Sequence, residues 1–472
     1  MSKEIVQDSC SPNNDNSSSV FSYRNSLYQL NGGVYFVPGV KRGAICDTNT
    51  GNVYSVNGSA MGVILGQIGD EEFQSELLTA GLASKENPIP VGKEKNKPAL
   101  EFVWFEIISG DCNERCLHCY ADSMPPTYRK IIGIDEIHVA EKESGQKLTS
   151  EQWKKMVEDA YSLGVRQCQF IGGEPFLWRG ENNENVLDLA EYAKNLGYEF
   201  IEIFTNGTLV TEKDIDRIKN LGLNLAISLY SDREEVHDAI TRTPGSFKKT
   251  ERTLKLLSQA GIPTRVETVL MKQNQDTLES AEDYIQQMGF DHRSPDVLRP
   301  NGRGESVELM PDEAAIVKYG LMLKPSFTTS KESLERNFEG NSCLTGKITI
   351  TDNGDVLPCI FSRSVIMGNV LKKGSLKNVL ETNVDEVWGI TKDDVLVCQD
   401  CEYRYVCHDC RPMAEGASGG RGTYKTSPFP RCTYNPYEGE WGGGVWKLDE
   451  KGSPYYDEAL KELIDAERIL TQ

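Results

Sequence analysis

The chain has 472 residues, and at roughly 150 residues per domain this length predicts about three domains. The 51 Lys and Arg against 71 Asp and Glu give a net charge of −20, which argues against nucleic acid as a partner because phosphate binding needs Lys and Arg. No apolar run reaches the ~20 residues of a membrane helix, and residues 1–19 lack the basic and apolar regions of a secretory signal. We therefore expect a cytoplasmic protein without a membrane partner.

The 13 cysteines are unevenly distributed along the chain. Three lie between Cys112 and Cys119, and four lie between Cys398 and Cys410. Because no export signal precedes them, a disulfide framework is not expected, since cytosolic thiols stay reduced. Tight cysteine clusters in a reduced compartment typically hold metals.

The N-terminal fifth of the chain is predicted to contain a small separate module. Residues 1–20 are rich in Ser, Asn and Asp, and we expect a disordered tail. In residues 21–98, a strand over Val34–Val40 and a hairpin within Gly43–Val56 precede two short helices. We expect Ser59 to cap the first helix, which would run to about Ile68. Three strands followed by helices predict a winged-helix-like unit, and a linker completes this segment.

Residues 99–335 alternate between strands and helices. The predicted strands are Phe102–Ile108, Gln167–Ile171, Glu199–Thr205, Leu223–Leu229 and Thr264–Leu270. The predicted helices are Thr149–Leu163, with Thr149 as its cap, Val186–Leu196, Glu212–Leu221, Phe247–Ala260 and Thr277–Met288. Repeated βα units predict a parallel sheet or barrel with helices outside, and chemistry in such folds lies at the C-terminal ends of the strands.

The C-terminal part loses this alternation. Residues 336–440 contain seven cysteines, which predicts a domain held by metal centres in place of a large apolar core. Residues 441–472 form a tail that ends in a predicted helix, Asp457–Leu470.

A Cys-x3-Cys-x2-Cys motif follows the first strand of the barrel segment. Cys112, Cys116 and Cys119 form it. Three thiolates on one short loop suit three irons of a 4Fe–4S cluster and leave the fourth iron for a small chelating molecule. A zinc site with one missing ligand, completed by His118, is the alternative that this spacing leaves open.

A second motif, Gly172-Gly173-Glu174-Pro175, follows the next strand. Paired glycines let a ligand approach the backbone closely, although a Gly-Gly pair alone is more often an ordinary turn. The two motifs in this order, in a βα chain, resemble the radical S-adenosylmethionine (SAM) superfamily. The resemblance covers roughly residues 101–300 and implies a partial (β/α)6 barrel.

The resemblance implies a set of cofactor contacts. Cys112, Cys116 and Cys119 would hold a [4Fe–4S] cluster whose open iron is chelated by SAM. The other contacts that it implies are Gly172, Gly173, Glu174 and Pro175 around the methionine moiety, with Glu174 accepting from its ammonium group, and Thr205, Asn206, Ser228 and Arg265 elsewhere on SAM. For these last four polar residues, strand-end capping is the alternative role. The implied chemistry is reductive cleavage of SAM to a 5′-deoxyadenosyl radical, which removes hydrogen from an unactivated C–H bond.

The seven C-terminal cysteines resemble the SPASM extension of that superfamily, which carries two auxiliary [4Fe–4S] clusters. On that pattern one set of ligands is Cys398, Cys401, Cys407 and Cys432, and the other is Cys343, Cys359 and Cys410. Two residues separate Cys407 from Cys410, where the family typically has three. The motif supplies seven thiolates, although two clusters could use eight. Zinc knuckles are the alternative for the two Cys-x2-Cys pairs. Related sulfatase maturases carry an Asp that acts as a base directly after the cysteine that matches Cys359. Ile360 occupies that position here, which counts against the dehydrogenation that those maturases catalyse.

The N-terminal module resembles the recognition element of maturases that act on ribosomally synthesised and post-translationally modified peptides. Such a sheet would accept a leader peptide as an added strand; a structural or DNA-binding winged helix is the alternative. We therefore expect a radical SAM/SPASM oxidoreductase that modifies a precursor peptide, forming a thioether or carbon–carbon crosslink, with flavodoxin or ferredoxin as electron donor. Epimerisation, backbone excision, or a non-catalytic iron–sulfur or zinc protein that binds peptides or carries electrons are the alternatives.

Overall fold

The structure is a computed structural model, and it describes residues 3–4, 23–93, 98–131, 146–291 and 294–471. Apart from residues 3–4, the predicted disordered tail therefore lies outside the described residues. The chain forms two compact units, of which the first combines residues 1–97, 320–345 and 388–472, and the second combines residues 98–319 and 346–387. Residues 346–387 thus belong to the unit of the barrel, although the sequence analysis assigns them to the cysteine-rich domain.

The N-terminal part of the first unit is a sheet. Its strands are β1 (Lys3–Glu4), β2 (Tyr28–Asn31), β3 (Val34–Pro38), β4 (Gly43–Asp47), β5 (Asn52–Val56) and β6 (Ile89–Pro90), in the order β1-β5-β4-β3-β2-β6. Strands β2 to β5 are antiparallel neighbours, and the predicted hairpin joins β4 to β5. The antiparallel core has four strands where the sequence predicted three, because β2 is short and irregular, with a register shift between Gln29 and Asn31.

Successive side chains of a strand point to opposite faces of the sheet. The two faces of this sheet are buried in two different cores. One face, with Phe36 and Ile45, packs on the helices Gly58–Ile64 and Glu71–Thr79. The first helix corrects the sequence prediction, since Asn57 and not Ser59 is its cap, accepting from the amide of Ala60 at 2.9 Å, and it ends at Ile64 instead of Ile68.

The opposite face packs on residues from the C-terminal part of the chain. Tyr35, Val37 and Cys46 share a core with Tyr403 and Tyr434. The remaining helices of the first unit are Lys331–Glu339, Arg411–Ala417 and Lys461–Leu470, together with the 3-10 helices Lys392–Asp394 and Cys398–Asp400. The last helix thus starts at Lys461 and not at the predicted Asp457. Two hairpins complete this unit, β17 (Tyr434–Asn435) with β18 (Glu440–Trp441) and β19 (Val445–Leu448) with β20 (Pro454–Asp457), whereas β7–β16 belong to the second unit.

The second unit is built on a largely parallel sheet. Its strands are β7 (Phe102–Ile108), β8 (Gln167–Gly172), β9 (Phe200–Thr205), β10 (Asn224–Ser228), β11 (Thr264–Glu267), β12 (Val269–Leu270), β13 (Asp296–Val297), β14 (Lys347–Thr351), β15 (Asp355–Leu357) and β16 (Gly368–Asn369). Eight of them form one sheet in the order β11-β10-β9-β8-β7-β14-β15-β16, and β13 pairs in parallel with β12. Strands β7 to β11 are all parallel, so the predicted α/β fold is confirmed.

The described residues of this unit form eleven α-helices, of which the sequence predicted five. They are Pro126–Ile131, Ser150–Ser162, Val186–Leu196, Glu212–Leu221, Glu234–Thr241, Ser246–Ala260, Leu278–Gln287, Glu313–Ala315, Val370–Lys373, Leu376–Asn383 and Asp385–Trp388, the last of which ends in the first unit. The predicted cap Thr149 is confirmed, because its hydroxyl accepts from the amide of Gln152 in a capping box. Within the described residues, no helix is both long enough and apolar enough to cross a membrane.

Candidate active site

The second unit contains a cavity of about 790 Å³ beside the parallel strands. The C-terminal ends of β7 to β10 bring together most of the predicted site residues, because parallel strands end at the same edge of a sheet. The predicted residues that line the cavity are Cys112, Cys116, Cys119, Gly172, Gly173, Thr205, Asn206, Ser228 and Arg265. Two predicted contacts, Glu174 and Pro175, do not line it.

The loop that carries the three cysteines is held by backbone donors. The amide of Glu114 donates to Sγ of Cys112 at 3.4 Å, and the amide of Ser123 donates to Sγ of Cys119 at 3.3 Å. Arg303, which the sequence analysis missed, donates to the carbonyl oxygens of Cys116 and Ser123 at 2.9 and 2.7 Å. Hydrogen bonds of this kind orient ligand atoms before a metal is bound.

The three thiols fit a cluster better than a single ion. Among the described residues, no three His, Cys, Asp or Glu side chains converge on a point that one metal ion could occupy. Thiolates that bind separate irons of a cluster need no common point. The ring of His118, the fourth ligand of the zinc alternative, is buried against Tyr230 at 4.8 Å between ring centres, and burial together with the charge of Arg303 lowers its pKa to about 4.

The two glycines at the end of β8 lie against the backbone of the cysteine loop. A Cβ atom on Gly173 would lie 1.9 Å from the carbonyl oxygen of Asp111, and one on Gly172 would lie 2.5 Å from that of Ile108. Real side chains cannot occupy these distances. The glycines therefore let β8 approach the residues that precede Cys112, so they shape the cysteine loop as well as the cavity wall.

Glu174 holds neighbouring backbone instead of facing the cavity. Its carboxylate is fully buried and accepts from the amide of Phe176 at 3.0 Å, the hydroxyl of Thr205 at 2.7 Å and the amide of Asn206 at 2.9 Å. Burial raises the pKa of Glu174, and the three donors oppose that rise. The expected acceptor for the ammonium group of SAM is thus committed to joining the ends of β8 and β9.

Asn206 connects this junction to the cysteine loop. Its Nδ2 donates to Oδ1 of Asn113 at 3.0 Å and lies 3.8 Å from Sγ of Cys112. Its main-chain carbonyl accepts from the hydroxyl of Thr250 at 2.8 Å. The side chain is therefore fixed beside the first cysteine, where it faces the cavity.

Arg265 takes part in an ionic cluster on the wall of the cavity. Its Nε and Nη2 donate to the two carboxylate oxygens of Glu202, each at 2.8 Å, and Nη1 pairs with Glu267. Gln169 also donates to Glu202, which is buried. The neighbouring carboxylates raise the pKa of Arg265 although burial opposes this. The predicted SAM contact is thus tied to two carboxylates, neither of which the sequence analysis identified.

An aromatic wall faces the same cavity. It consists of Tyr120 and Phe361, whose ring centres are 4.7 Å apart. The aliphatic Ile360 lines the cavity beside Phe361. Arg363 lies over the ring of Tyr120 at 5.3 Å and pairs with the buried Glu106 at 2.8 Å. The residue after Cys359 therefore faces the cavity, as a base would have to, but it is apolar.

Residues 107–285 match the sequence model of the Radical SAM superfamily. The chain carries a radical SAM domain. Together with the fit of the cysteine loop, this domain implies a [4Fe–4S] cluster and SAM as cofactors and the chemistry of a radical SAM enzyme. The radical SAM domain predicted from the two motifs is confirmed.

Two curated proteins illustrate the relatives of this radical SAM enzyme. The chain is 25% identical over 374 residues to the AdoMet-dependent heme synthase of Methanosarcina barkeri, which covers 72% of this chain and 98% of that protein. It is 26% identical over 315 residues to AlbA, the antilisterial bacteriocin subtilosin biosynthesis protein of Bacillus subtilis, which covers 64% of this chain and 62% of that protein.

Solved structures support the fold of the radical SAM enzyme. SuiB of Streptococcus suis bound to its precursor peptide SuiA matches with a TM-score of 0.52 at 14% identity, covering 87% of this chain and 99% of that chain. At this identity the likeness concerns the fold alone.

Four of the C-terminal cysteines of this enzyme share a second, smaller cavity in the first unit. Cys398, Cys401, Cys407 and Cys432 line it together with apolar and aromatic side chains and with Lys392. These are the four cysteines of one predicted auxiliary cluster. Their convergence on one cavity, within a core of low polarity, suits a buried cluster.

The other predicted set of ligands is divided between the units. Cys343 and Cys410 belong to the first unit and Cys359 to the second, so this set stays a prediction. Cys46 and Cys168, which match no ligand position, are fully buried and act as small apolar residues.

Proposed function

We propose that the protein binds a ribosomally synthesised precursor peptide and forms an intramolecular thioether or carbon–carbon crosslink in it. The observation that carries this proposal is the presence in one chain of a radical SAM cavity and a small N-terminal antiparallel sheet. An exposed sheet edge can take an extended peptide through backbone hydrogen bonds alone. The relationship to AlbA and the precursor-bound structure of SuiB support a peptide as substrate.

In this proposal the electrons balance over one turnover. When bound, SAM and its cluster would supply a 5′-deoxyadenosyl radical by one-electron cleavage of the carbon–sulfur bond, with a flavodoxin or ferredoxin as the source of the electron and methionine as the other product. The radical takes one hydrogen atom from a C–H bond of the peptide and becomes 5′-deoxyadenosine. A second peptide group loses a proton as the new bond forms, and the remaining electron passes to an auxiliary cluster, so the peptide loses two hydrogens.

The residues of the chain serve this chemistry by binding and positioning. Cys112, Cys116 and Cys119 would hold the cluster that binds SAM, with Asn206 beside it. The aromatic wall of Tyr120 would keep water from the reacting carbon. Cys398, Cys401, Cys407 and Cys432 would hold one auxiliary cluster, and the set of Cys343, Cys359 and Cys410 would hold the other. Ile360 leaves the deprotonating group to another residue or to the peptide.

Haem synthesis is the second candidate function, since the Methanosarcina barkeri relative is aligned over 98% of its own length. A relative of the same organism is named Fe-coproporphyrin III synthase. The N-terminal sheet favours the peptide, because a porphyrin substrate has no use for a strand-binding edge.

Co-expression with a candidate precursor, chosen as a short open reading frame next to this gene, tests the proposal. We expect mass spectrometry to find the peptide lighter by two hydrogens, with 5′-deoxyadenosine formed. Cys116→Ala should abolish both, whereas Cys168→Ala, at a buried cysteine outside the site, should abolish neither. Formation of haem without any change to the peptide would favour the second candidate. A peptide whose mass is unchanged in H2O but which gains one deuterium at carbon in D2O would indicate epimerisation.

Leader recognition has its own test. Hydrogen exchange of the full-length enzyme is measured with and without the leader portion of the precursor. Each edge of the β2 to β5 core is covered by a two-residue strand, β1 on β5 and β6 on β2. We expect new amide protection on β5 or β2, beyond or in place of that short strand, because an added strand occupies backbone donors there. Tight leader binding that leaves these strands unprotected would contradict this part of the proposal.

A further inference from the structure

A buried lysine lies at the cavity of the four C-terminal cysteines. Lys392 begins a short 3-10 helix, Lys392–Asp394, which Thr391 caps. Only 4% of the residue is exposed, and it lines the cavity together with Cys398, Cys401, Cys407 and Cys432. A charged side chain is seldom buried to this extent unless it is paired.

The one carboxylate that pairs with Lys392 is shared with a second cation. Nζ of Lys392 lies 3.0 Å from Oδ2 of Asp409, and Nη2 of Arg411 lies 2.5 Å from the same oxygen. Asn341 donates to the other carboxylate oxygen at 2.9 Å. The side chains of Asp409 and Arg411 are fully buried. Two cations thus share one carboxylate, and the group keeps one net positive charge inside the protein.

The surroundings transmit this charge to the cysteines. One further charged residue lines the cavity, Arg404, and its charge is offset by the pair with Asp393. The other lining residues are apolar or aromatic, among them Val397, Phe429 and Trp446, so little polar material screens the field of Lys392. Glu402, the carboxyl group next to Cys401, is fully buried and accepts from the hydroxyl of Tyr434, and it is not among the residues that line the cavity.

We propose that Lys392 is a positioning residue for electron transfer, whose buried charge raises the reduction potential of the cluster bound by Cys398, Cys401, Cys407 and Cys432. A four-thiolate cluster gains one unit of negative charge when it accepts an electron. A nearby fixed cation stabilises the reduced form more than the oxidised form. This inference rests on the proposed function, in which an auxiliary cluster accepts the electron released when the new bond forms.

A redox titration of the anaerobically reconstituted full-length enzyme, followed by electron paramagnetic resonance, tests the inference. The relevant signal is the one lost in Cys398→Ala and kept in Cys46→Ala. Lys392→Gln keeps a hydrogen-bond donor for Asp409 and removes the charge, whereas Lys392→Arg keeps the charge. We expect Lys392→Gln to shift the reduction equilibrium at least tenfold towards the oxidised form, which for one electron is about 59 mV, and Lys392→Arg to stay near wild type.

The outcomes separate this inference from the proposed function. An unchanged potential in Lys392→Gln with full iron content would overturn it. If Lys392→Gln fails to hold iron, Asp409→Asn serves instead, because it removes the neutralising carboxylate and should shift the equilibrium in the opposite direction; no shift there would also overturn the inference. Zinc in place of iron at these cysteines would overturn the auxiliary cluster itself, while 5′-deoxyadenosine formation would still report on the radical SAM site.

Discussion

Arg404 joins the segment that carries Cys398, Cys401 and Cys407 to the N-terminal sheet within the first unit. Its side chain is fully buried. It donates to the carbonyl oxygens of Pro38, Tyr23 and Ser26 at 2.7, 2.7 and 3.0 Å and pairs with Asp393 at 3.1 Å. Arg404 also donates to the carbonyl oxygen of Cys401 at 2.8 Å. We expect Arg404→Met to loosen the N-terminal sheet, because four main-chain acceptors and one carboxylate lose their donor together.

The size of the effect follows from burial. Removing one partner of a buried ion pair typically costs about 3–5 kcal/mol, because the other charge stays inside. Asp393 keeps Lys93 at 3.0 Å and the hydroxyl of Tyr405 at 2.9 Å, so the lower figure applies. A loss of about 3 kcal/mol corresponds to roughly a hundredfold change in an equilibrium constant.

Hydrogen exchange of the reconstituted enzyme measures this change. Amides of β3 and β4 should exchange roughly a hundredfold faster in Arg404→Met, since exchange from a cooperative unit reports the free energy of its opening. Arg24→Met is the matched control, because Arg24 is 46% exposed and lies 3.4 Å from Asp400, a surface pair worth at most about 1 kcal/mol. Unchanged protection in Arg404→Met, or protection lost only in molecules that have also lost iron, would refute the reasoning.

Three further predictions concern the second unit. Gly173→Ala should abolish SAM cleavage, measured as 5′-deoxyadenosine, because its Cβ would collide with the carbonyl of Asp111; wild-type activity would mean that the backbone shifts at little cost. Glu174→Gln should raise the KM for SAM about tenfold while the cluster absorbance stays. The NH2 group that it introduces would face a donor at the junction of β8 and β9, and an unsatisfied buried donor costs about 1–3 kcal/mol. A loss of iron in this variant would contradict the prediction. Thr149→Ala should lower the free energy of unfolding of the second unit by about 1 kcal/mol in urea titrations, as expected for a lost helix cap, with Ser162→Ala at the far end of the same helix as a control that changes little.

The sequence predicted best what is local. Thr149 and the helices of the barrel carry their signals within a few residues, in the form of caps and apolar spacing. The helix Glu234–Thr241 was missed because Arg233 at its start makes no side-chain cap bond. Ser59 is the predicted cap and Asn57 the observed one; both residue types serve as caps, and only the course of the backbone decides between them.

Long-range features left no such signal. Strand β14 pairs with β7 across roughly 245 residues, and no local pattern announces that pairing. The cysteine motifs pointed to the radical SAM domain, but they gave no sign of the partners within the chain, which are Thr205 for Glu174 and Glu202 and Glu267 for Arg265. The contacts of Glu174 and Arg265 with SAM stay predictions. Lys392 carried no motif at all, and only its burial beside the cysteines distinguishes it.

The discontinuous course of the first unit has a consequence for synthesis on the ribosome. Tyr35 and Val37 are covered by Tyr403 and Tyr434, which are translated only after residues 98–387. At ~5–20 residues per second this delay is roughly 15–60 s, during which one apolar side of the nascent N-terminal sheet has no cover. We therefore expect ribosome-bound chains shorter than about 400 residues to recruit chaperones through that side, and full-length chains to release them.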